Sequence, residues 1–288
     1  MPSIFEDPFN YKRIRGESLV YNTGHIMVKK YGDIIKFERQ DYCGAIILDN
    51  AEKLNVVGDE FLNELGALQQ EILTMEDLRA LAIVANGDNF SAGIDLKFLQ
   101  EVSSEKVKAT LTWLQGLYSF WQTLSIPVVI GVQGFCFGSA VELMLGCDIR
   151  IAAENLRLSL PEVKLGLSPD MGGTTRLTKL VGTGQAKRLI MACEEIGAHE
   201  ALQIGLVEKV VPVEKLREAT IRLAQRMSGF PPSSIAFAKK GINLAEESSV
   251  TAGLLFEQAQ STYCCGTKDI KEAISAFFDK RKPSFTGN

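Results

Sequence analysis

The stretch PVVIGVQGFCFGSAVELMLGC, residues 127–147, decides the fold class. It opens with a continuous apolar run, which is typical of a strand buried on both faces of a sheet. The run ends at Gly134, and a second glycine, Gly138, leads into SAVELMLGC, which predicts a short buried helix. A buried strand that turns tightly into a helix indicates an α/β fold.

Strands and helices alternate on both sides of this stretch. IIKFER, AIILDN and LRALAIVAN predict strands before it, and IRIAAE and LRLSL predict strands after it. EFLNELGALQQEILT and SSEKVKATLTWLQGLYSFWQTL predict helices, the second ending at Pro127. Beyond Val210 the pattern is helical through about Phe278. We therefore divide the chain into an N-terminal extension (1–32), an α/β core (33–210) and a C-terminal helical region (211–288).

Composition excludes several classes of protein. The 288 residues are 46% hydrophobic and 23% charged, which is ordinary for a folded globular protein. A formal net charge of −4 gives no general attraction to nucleic acid or to an anionic membrane. The N-terminal residues lack the apolar run of a secretory signal, and no segment holds eighteen uninterrupted apolar residues. We expect a cytoplasmic protein that binds neither nucleic acid nor membranes.

The cysteine pattern predicts neither a disulfide framework nor a metal site. The six cysteines show no CxxC spacing, and no histidine lies near them in sequence. Free cysteine packs as a small hydrophobe, so we expect reduced and mostly buried thiols. The cysteines are Cys43, Cys136, Cys147, Cys193, Cys264 and Cys265.

Two glycine turns could each present a backbone N–H to an anion. NFSAGIDL, residues 89–96, turns through small residues toward a helix near Asp95, which leaves the N–H of Ile94 free. The turn at Gly138 would likewise point the N–H of Ser139 outward. Two such donors on one oxygen form an oxyanion hole, in which one donor contributes roughly 2.7–4 kcal/mol. The alternative for the first turn is purely structural, with Asp95 capping the helix.

Three carboxylates accompany these turns. Glu142 lies one turn into an otherwise apolar helix, Glu162 follows LRLSL, and Asp170 stands eight residues later. Apolar surroundings disfavour ionisation, which suits a group that must take and give a proton near neutral pH. The structural alternatives are a buried ion pair for Glu142 and a helix cap before Gly172 for Asp170.

These motifs together resemble the crotonase, or enoyl-CoA hydratase/isomerase, superfamily. The resemblance rests on residues 90–96, residues 134–152, PEVKLGL (161–167) and GGTTRL (172–177), and it extends from about Asp33 to the C-terminus. It implies a ClpP-like spiral of ββα units with a C-terminal helical region that forms homotrimers, often paired into hexamers. It also implies an acyl-CoA thioester substrate, with coenzyme A entering only as part of that substrate, no permanent cofactor and no metal.

The resemblance assigns roles to individual residues. It places the oxyanion donors at Ile94 and Ser139 and the water-adding pair of hydratases at Glu142 and Glu162. Asp170 stands where hydratases usually have glycine, whereas Δ3,5-Δ2,4-dienoyl-CoA isomerases have aspartate there and shuttle a proton between it and the preceding glutamate. Hydration of a 2-enoyl-CoA and a dienoyl-CoA double-bond shift therefore both stay open.

Further family positions imply contacts with substrate and coenzyme A. These fall at Ala92, Asp95 and Gly138, and at Phe277 and Lys280, which would approach the CoA moiety from a neighbouring subunit. Ser139 and Ala140 stand where many members have glycine, which keeps the backbone donor but adds Cβ atoms beside the thioester.

Two other functions compete with this hypothesis. GFCFG, residues 134–138, also fits a cysteine nucleophile elbow, with Asp170 and His199 following in the chain order of α/β-hydrolases. A crotonase scaffold can also serve in RNA binding or assembly without catalysis. The acidic charge balance and the retained carboxylates argue against that second use.

Overall fold

The computed structural model describes residues 20–23 and 26–288. Most of the predicted N-terminal extension, residues 1–19, 24 and 25, lies outside the described residues. The strands are β1 (Val20–Thr23), β2 (Ile26–Lys30), β3 (Ile35–Gln40), β4 (Cys43–Leu48), β5 (Ala80–Ala85), β6 (Val128–Val132), β7 (Phe135–Phe137), β8 (Ile149–Ala153), β9 (Arg157–Ser159), β10 (Ile196–Gly197) and β11 (Lys209–Val211).

Helices alternate with these strands and then occupy the C-terminal region alone. They are α1 (Asp59–Ile72), α2 (Leu96–Gln100), α3 (Ser104–Thr123), α4 (Ser139–Leu145), α5 (Gly173–Met191), α6 (Ala198–Gln203), α7 (Leu216–Ser228), α8 (Pro232–Ala245), α9 (Val250–Cys265) and α10 (Lys268–Phe278). The predicted α/β core with a helical C-terminal region is confirmed.

The strands form two sheets. The larger has the order β1-β2-β3-β4-β5-β6-β8-β11, and the smaller has the order β10-β9-β7. Strands β1 to β4 are antiparallel neighbours, whereas β4, β5, β6, β8 and β11 run parallel. The parallel part needs helical crossovers, which is why strands and helices alternate along this part of the sequence.

Both faces of the large sheet are covered. In β6, Val128, Ile130 and Val132 point into the larger hydrophobic cluster, while Val129 points into a smaller cluster that includes Leu216 of α7. This burial on both faces explains why the strand reads as an uninterrupted apolar run.

The sheet starts earlier than the sequence indicates. Strands β1 and β2 precede residue 33, where we placed the start of the core, and β2 pairs with β3 from Ile26 opposite Gln40 to Lys30 opposite Lys36. Residues 26–30 therefore belong structurally to the sheet. No helix in residues 20–23 and 26–288 is long and apolar enough to cross a membrane.

Candidate active site

The two glycine turns lie side by side at one end of the parallel strands. Ser91 joins the segment after β5 to β7, because its N–H donates to Phe135 O at 2.9 Å and its carbonyl accepts from Phe137 N at 3.1 Å. Two residues that are distant in sequence, Ile94 and Ser139, are thereby brought to the same place.

The N–H of Ile94 points away from its neighbouring strand segment. Val57 N donates to Gly93 O and Asp95 N donates to Val57 O, each at 2.8 Å, which is the pattern of a parallel bridge centred on Ile94. In that pattern the residue between the two bonds directs its own N–H outward. Among the described residues, the N–H of Ile94 has no acceptor.

The N–H of Ser139 is free because α4 begins there. The preceding Gly138 has φ of 55°, so the chain turns too sharply for an acceptor one turn earlier. Gly93 packs against this turn so closely that a Cβ on it would lie 2.5 Å from Phe137 O and 3.7 Å from Ser139 N. Within the described chain, two unpaired N–H groups therefore adjoin one space.

That space is a mostly apolar cavity of about 110 Å³. It is lined by Ile94 and Ser139, by side chains of α2 and α3, and by all three candidate carboxylates. Phe98, Leu111 and Leu114 belong to its apolar wall. An apolar wall of this kind lowers the local dielectric constant and so strengthens electrostatic interactions inside the cavity.

Glu142 is the most deeply buried of the three carboxylates, with 2% of the residue exposed. Its Oε1 accepts from Met171 N at 2.8 Å and from Gly173 N at 2.9 Å. Burial raises the pKa of Glu142 to about 7, and the Glu162 and Asp170 charges act in the same direction against these two hydrogen bonds. Since two donors occupy Oε1, a proton on this carboxyl group resides on Oε2.

Glu162 begins a short 3-10 helix, Glu162–Leu165, beneath the turn at Gly138. A Cβ on Gly138 would lie 2.9 Å from Glu162 Oε1, so only glycine fits there. Glu162 Oε2 is buried without a hydrogen-bond partner among the described residues. Burial raises the pKa of Glu162, and the nearby charge of Asp170 adds to the shift.

Asp170 lines the same cavity but is the most exposed of the three. Partial desolvation raises its pKa all the same. The helix-cap alternative for Asp170 is wrong, because α5 begins at Gly173 with Gly172 as its cap residue and without a side-chain cap. Three carboxylates with raised pKa values thus face one cavity, which is the usual signature of a proton-transfer site.

Comparison with known proteins settles the family. Residues 38–288 match the family model described as enoyl-CoA hydratase/isomerase. The chain belongs to this family.

Individual relatives agree with this membership. A short-chain-enoyl-CoA hydratase of Clostridium acetobutylicum is 32% identical over 85% of this chain and 94% of its own length. A crotonyl-CoA hydratase of Syntrophomonas wolfei is 32% identical over 88% of this chain and 98% of its own. A crystal structure of an enoyl-CoA hydratase from Bacillus anthracis covers 92% of this chain and 100% of its own, with 32% identity and a TM-score of 0.83. The fold is therefore that of the crotonase superfamily, and the protein is an enzyme of the hydratase/isomerase family.

Four other residues that the family resemblance singled out do not line this cavity. Asp95 caps α2 by accepting from Lys97 N at 2.9 Å, as the structural alternative predicted. Ala92 N donates to Leu54 O at 3.0 Å. Phe277, which is 79% exposed, lies in the last turn of α10, and Lys280 follows two residues after that helix ends; neither lines this cavity. A contact of theirs with coenzyme A stays a prediction.

Asn55 supports the first turn and was missed from the sequence. It is fully buried, and its Oδ1 accepts from Asn50 N at 2.7 Å. Its Nδ2 donates to Asn86 O and Asn89 O, each at 3.2 Å, and its own carbonyl accepts from Ser91 Oγ at 2.7 Å. The only sequence signal is an asparagine, a residue type that tolerates the left-handed φ of 49° found here.

Arg176 supports the loop that holds Glu142. Its Nη1 donates to Met171 O at 3.1 Å, its Nη2 to Ser119 Oγ at 2.8 Å and its Nε to Gln122 Oε1 at 3.0 Å. The guanidinium therefore fixes Met171, whose N–H binds Glu142. This family motif was recognised in the sequence, but its supporting role was not.

The cysteine-nucleophile alternative finds no support. Cys136 is completely buried in β7, and burial raises the pKa of its thiol far above the ordinary value. His199 lies exposed on α6, whereas no part of Cys136 is exposed. A buried neutral thiol is not a nucleophile.

Proposed function

We propose that the protein adds water across the double bond of short-chain 2-enoyl-CoA thioesters. The observation that carries the proposal is one small cavity that combines two unpaired N–H groups with Glu142 and Glu162, both of raised pKa. In the proposed roles, the N–H groups of Ile94 and Ser139 bind the thioester oxygen. They stabilise it most when it becomes an enolate oxygen, because the charge on it is then greatest.

The two glutamates perform the proton transfers. The pKa of Glu142, about 7, lets this group hold or release a proton near neutral pH, and its ionised form accepts the proton of water as the water oxygen bonds to C3. Glu162 Oε2 has no donor to stabilise a charge, so Glu162 carries the proton that is delivered to C2. The electron pair of the double bond passes to the thioester oxygen and returns as the new C2–H bond forms. Exchange with solvent then restores the starting protonation states.

Cavity size supports a short acyl chain. About 110 Å³ is well below the roughly 300–1,000 Å³ of ordinary ligand pockets. Phe98, Leu114 and Leu167 limit it with apolar surface. The names of two relatives, a short-chain-enoyl-CoA hydratase and a crotonyl-CoA hydratase, point to the same substrate class.

A second candidate, isomerisation of a dienoyl-CoA, is favoured by one observation. Asp170 faces the same cavity as Glu162, and its charge contributes to the raised pKa of Glu162. Two coupled carboxylates along an acyl chain can remove a proton at one carbon and return it at another.

Spectroscopy with two substrates separates the candidates. Purified enzyme and its Asp170→Asn variant are each given crotonyl-CoA and a 3,5-dienoyl-CoA. We expect the enoyl absorbance of crotonyl-CoA to fall with both enzymes, at rates within about threefold. Growth of a conjugated-dienoyl band that Asp170→Asn abolishes, without loss of the enoyl band, would assign isomerisation instead. No change with either substrate would contradict both candidates.

We propose further that the protein is a homotrimer, or a hexamer of two trimers. The supporting observation is the apolar surface of the C-terminal helices, where Leu254, Leu255, Phe277 and Phe278 are exposed in the single chain. A second copy that covers this surface would bring Phe277 and Lys280 toward a neighbouring cavity. Sedimentation at micromolar concentration tests the proposal, and a monomer there would contradict it.

A further inference from the structure

Lys106 places a positive charge at the wall of the active-site cavity. It lies in the first turn of α3 and lines the cavity together with the three carboxylates, and no other lysine or arginine of the described residues does so. Its Nζ lies 5.2 Å from the centre of the Phe98 ring, which belongs to the same wall. Within residues 20–23 and 26–288, Lys106 forms no ion pair.

The position of Lys106 on its helix is unfavourable for a cation. The N-terminal end of an α-helix carries a partial positive charge, which repels a cation in the first turn. The neighbouring Glu105 is exposed and, as the adjacent residue on a helix, faces a different direction. The alternative explanation is that the lysine stem covers apolar surface while its amine stays in water. That alternative predicts no preference of the cavity for an anion.

The residues of α3 that line the cavity include a stripe with Lys106 at one end. Lys106, Thr110 and Leu114 follow one another at intervals of four residues, so they share one face of the helix. At 1.5 Å per residue, this α3 stripe is about 12 Å long. Its other end lies near Asp170, because Gln115, the residue after Leu114, donates from Nε2 to Asp170 O at 2.8 Å. Lys106 therefore stands at the end of the stripe away from Asp170.

The volume of the cavity decides which part of a thioester Lys106 meets. About 110 Å³ holds a short acyl group but not coenzyme A, which is larger than the drug-sized ligands that fill roughly 300–1,000 Å³. Val102, Val107 and Phe98 also line the cavity and make its wall apolar. Such a wall strengthens the attraction between an amine and a carboxylate, because it lowers the local dielectric constant. A negatively charged end of the acyl group fits these surroundings.

We propose that Lys106 binds a carboxylate at the far end of the acyl group, so that the preferred substrates are short 2-enoyl-CoA thioesters of dicarboxylic acids. The inference rests on the proposed function and narrows its substrate class. With the thioester oxygen at the N–H groups of Ile94 and Ser139, the acyl chain extends along the α3 stripe to Lys106. The added negative charge enters a cavity that already holds three carboxylates, and Lys106 offsets it.

Two matched substrates test this preference. Glutaconyl-CoA and 2-pentenoyl-CoA have the same number of carbon atoms, and only the first ends in a carboxylate. The ratio of their kcat/KM values for hydration cancels the contribution of the coenzyme A moiety, which both contain. We expect the wild-type ratio to favour glutaconyl-CoA by about tenfold, as expected for one hydrogen bond to a charged group at a partly exposed site.

Three variants connect the ratio to one side chain. Lys106→Met removes the charge but keeps a long apolar side chain, and it should lower the ratio about tenfold. Lys106→Arg keeps the charge and should retain most of the ratio. Lys108→Met is the matched control, because Lys108 is exposed on the same helix and does not line the cavity. Added salt should lower the ratio of the wild type but not that of Lys106→Met, since screening acts on the charge pair.

The outcomes separate this inference from the proposed function. An equal loss with both substrates in Lys106→Met would mean that Lys106 contacts coenzyme A or supports the fold, and it would overturn the inference alone. A wild-type ratio at or below one, or a ratio that Lys106→Met leaves unchanged, would do the same while hydration of 2-pentenoyl-CoA upholds the proposed function. If the wild-type enzyme hydrates neither substrate, the proposed function falls, and this inference falls with it.

Discussion

The carboxylate of Glu142 is held where its charge is least favourable. It is almost completely buried, and in residues 20–23 and 26–288 two backbone N–H groups donate to it and offset part of the loss of water. Functional sites commonly lower the free energy of unfolding in this way. The pH dependence of unfolding measures how much stability this buried carboxylate costs.

Replacing Glu142 by Gln should stabilise the protein at alkaline pH. The pKa of this carboxyl group is raised from 4.5 to about 7 on folding, so the folded state binds the extra proton between these values. Stability therefore falls as pH rises from about 4.5 to 7 and stays reduced above it. Removing the charge should recover up to about 3 kcal/mol at pH 8 and almost nothing at pH 4. Urea unfolding at both pH values measures the difference.

The same variant should hydrate crotonyl-CoA at least about a hundredfold more slowly. Glu64→Gln is the control for activity, because Glu64 is also a buried carboxylate bonded to backbone N–H groups, those of Ile34 and Ile35, but lies outside the cavity.

In the unfolding experiment, stabilisation of the Glu142→Gln variant that is the same at pH 4 and pH 8 would contradict the raised pKa of Glu142.

At the residue scale, the sequence predicts free backbone N–H groups better than side-chain contacts. The free N–H groups of Ile94 and Ser139 could be predicted because a tight turn of small residues into a helix exposes N–H groups wherever it occurs. The contacts of Asn55 could not, since a single asparagine has no sequence pattern that identifies its partners. Its hydrogen bonds to Asn86 O and Asn89 O depend on tertiary structure.

The turn between β7 and α4 depends on a residue without a side chain at Gly138. Gly138→Ala should abolish most activity, because the new Cβ would lie 2.9 Å from Glu162 Oε1 and the φ of 55° strains any other residue. Both the carboxylate and the N–H of Ser139 would have to move. The kcat for crotonyl-CoA and the melting temperature report these effects separately.

Gly182→Ala is the matched control for this turn. Gly182 has a similar positive φ of 79°, but a Cβ there meets nothing within 4 Å. The control should lose about 1 kcal/mol of stability from strain and keep its activity. Equal activity in the two variants would show that the turn does not position the site.

At the scale of elements, long periodic segments were predictable and short edge segments were not. Helices α1, α3 and α7 and the buried strands β4, β5, β6 and β8 carry patterns that identify them. Strand β2 reads IMVKK, too short and too irregular for a two-residue period to stand out, and it gains its definition from pairing with β3. Helix α5 is interrupted by non-helical backbone angles at Gly182. The apolar residues before and after Gly182 therefore do not form one continuous helical face in the sequence.

One buried cation connects the C-terminal helical region to the core. Lys239 of α8 donates to Trp121 O at 2.7 Å, to Ile126 O at 2.9 Å and to Asp148 Oδ2 at 2.7 Å. Asp148 also accepts from Val128 N at the start of β6. The contact therefore ties α8, α3 and the central sheet together at one point.

Lys239→Ala should destabilise the whole protein by about 3–5 kcal/mol, because it leaves a buried carboxylate without its partner. Urea unfolding measures the loss. The neighbouring Lys240→Ala, at an exposed position, should change stability by less than about 0.5 kcal/mol. Equal effects of the two substitutions would show that the buried contact does not stabilise the junction.

The uneven distribution of thiols over the molecule provides a chemical reporter. Cys43, Cys136, Cys147 and Cys193 are sealed in the interior, whereas Cys264 and Cys265 lie at the accessible end of α9. A maleimide dye added to the native enzyme should therefore label the thiols of α9 and leave the four buried thiols unlabelled. If copies of the chain associate through α9, labelling should slow as concentration rises, so the natural sequence already contains a probe of its own assembly.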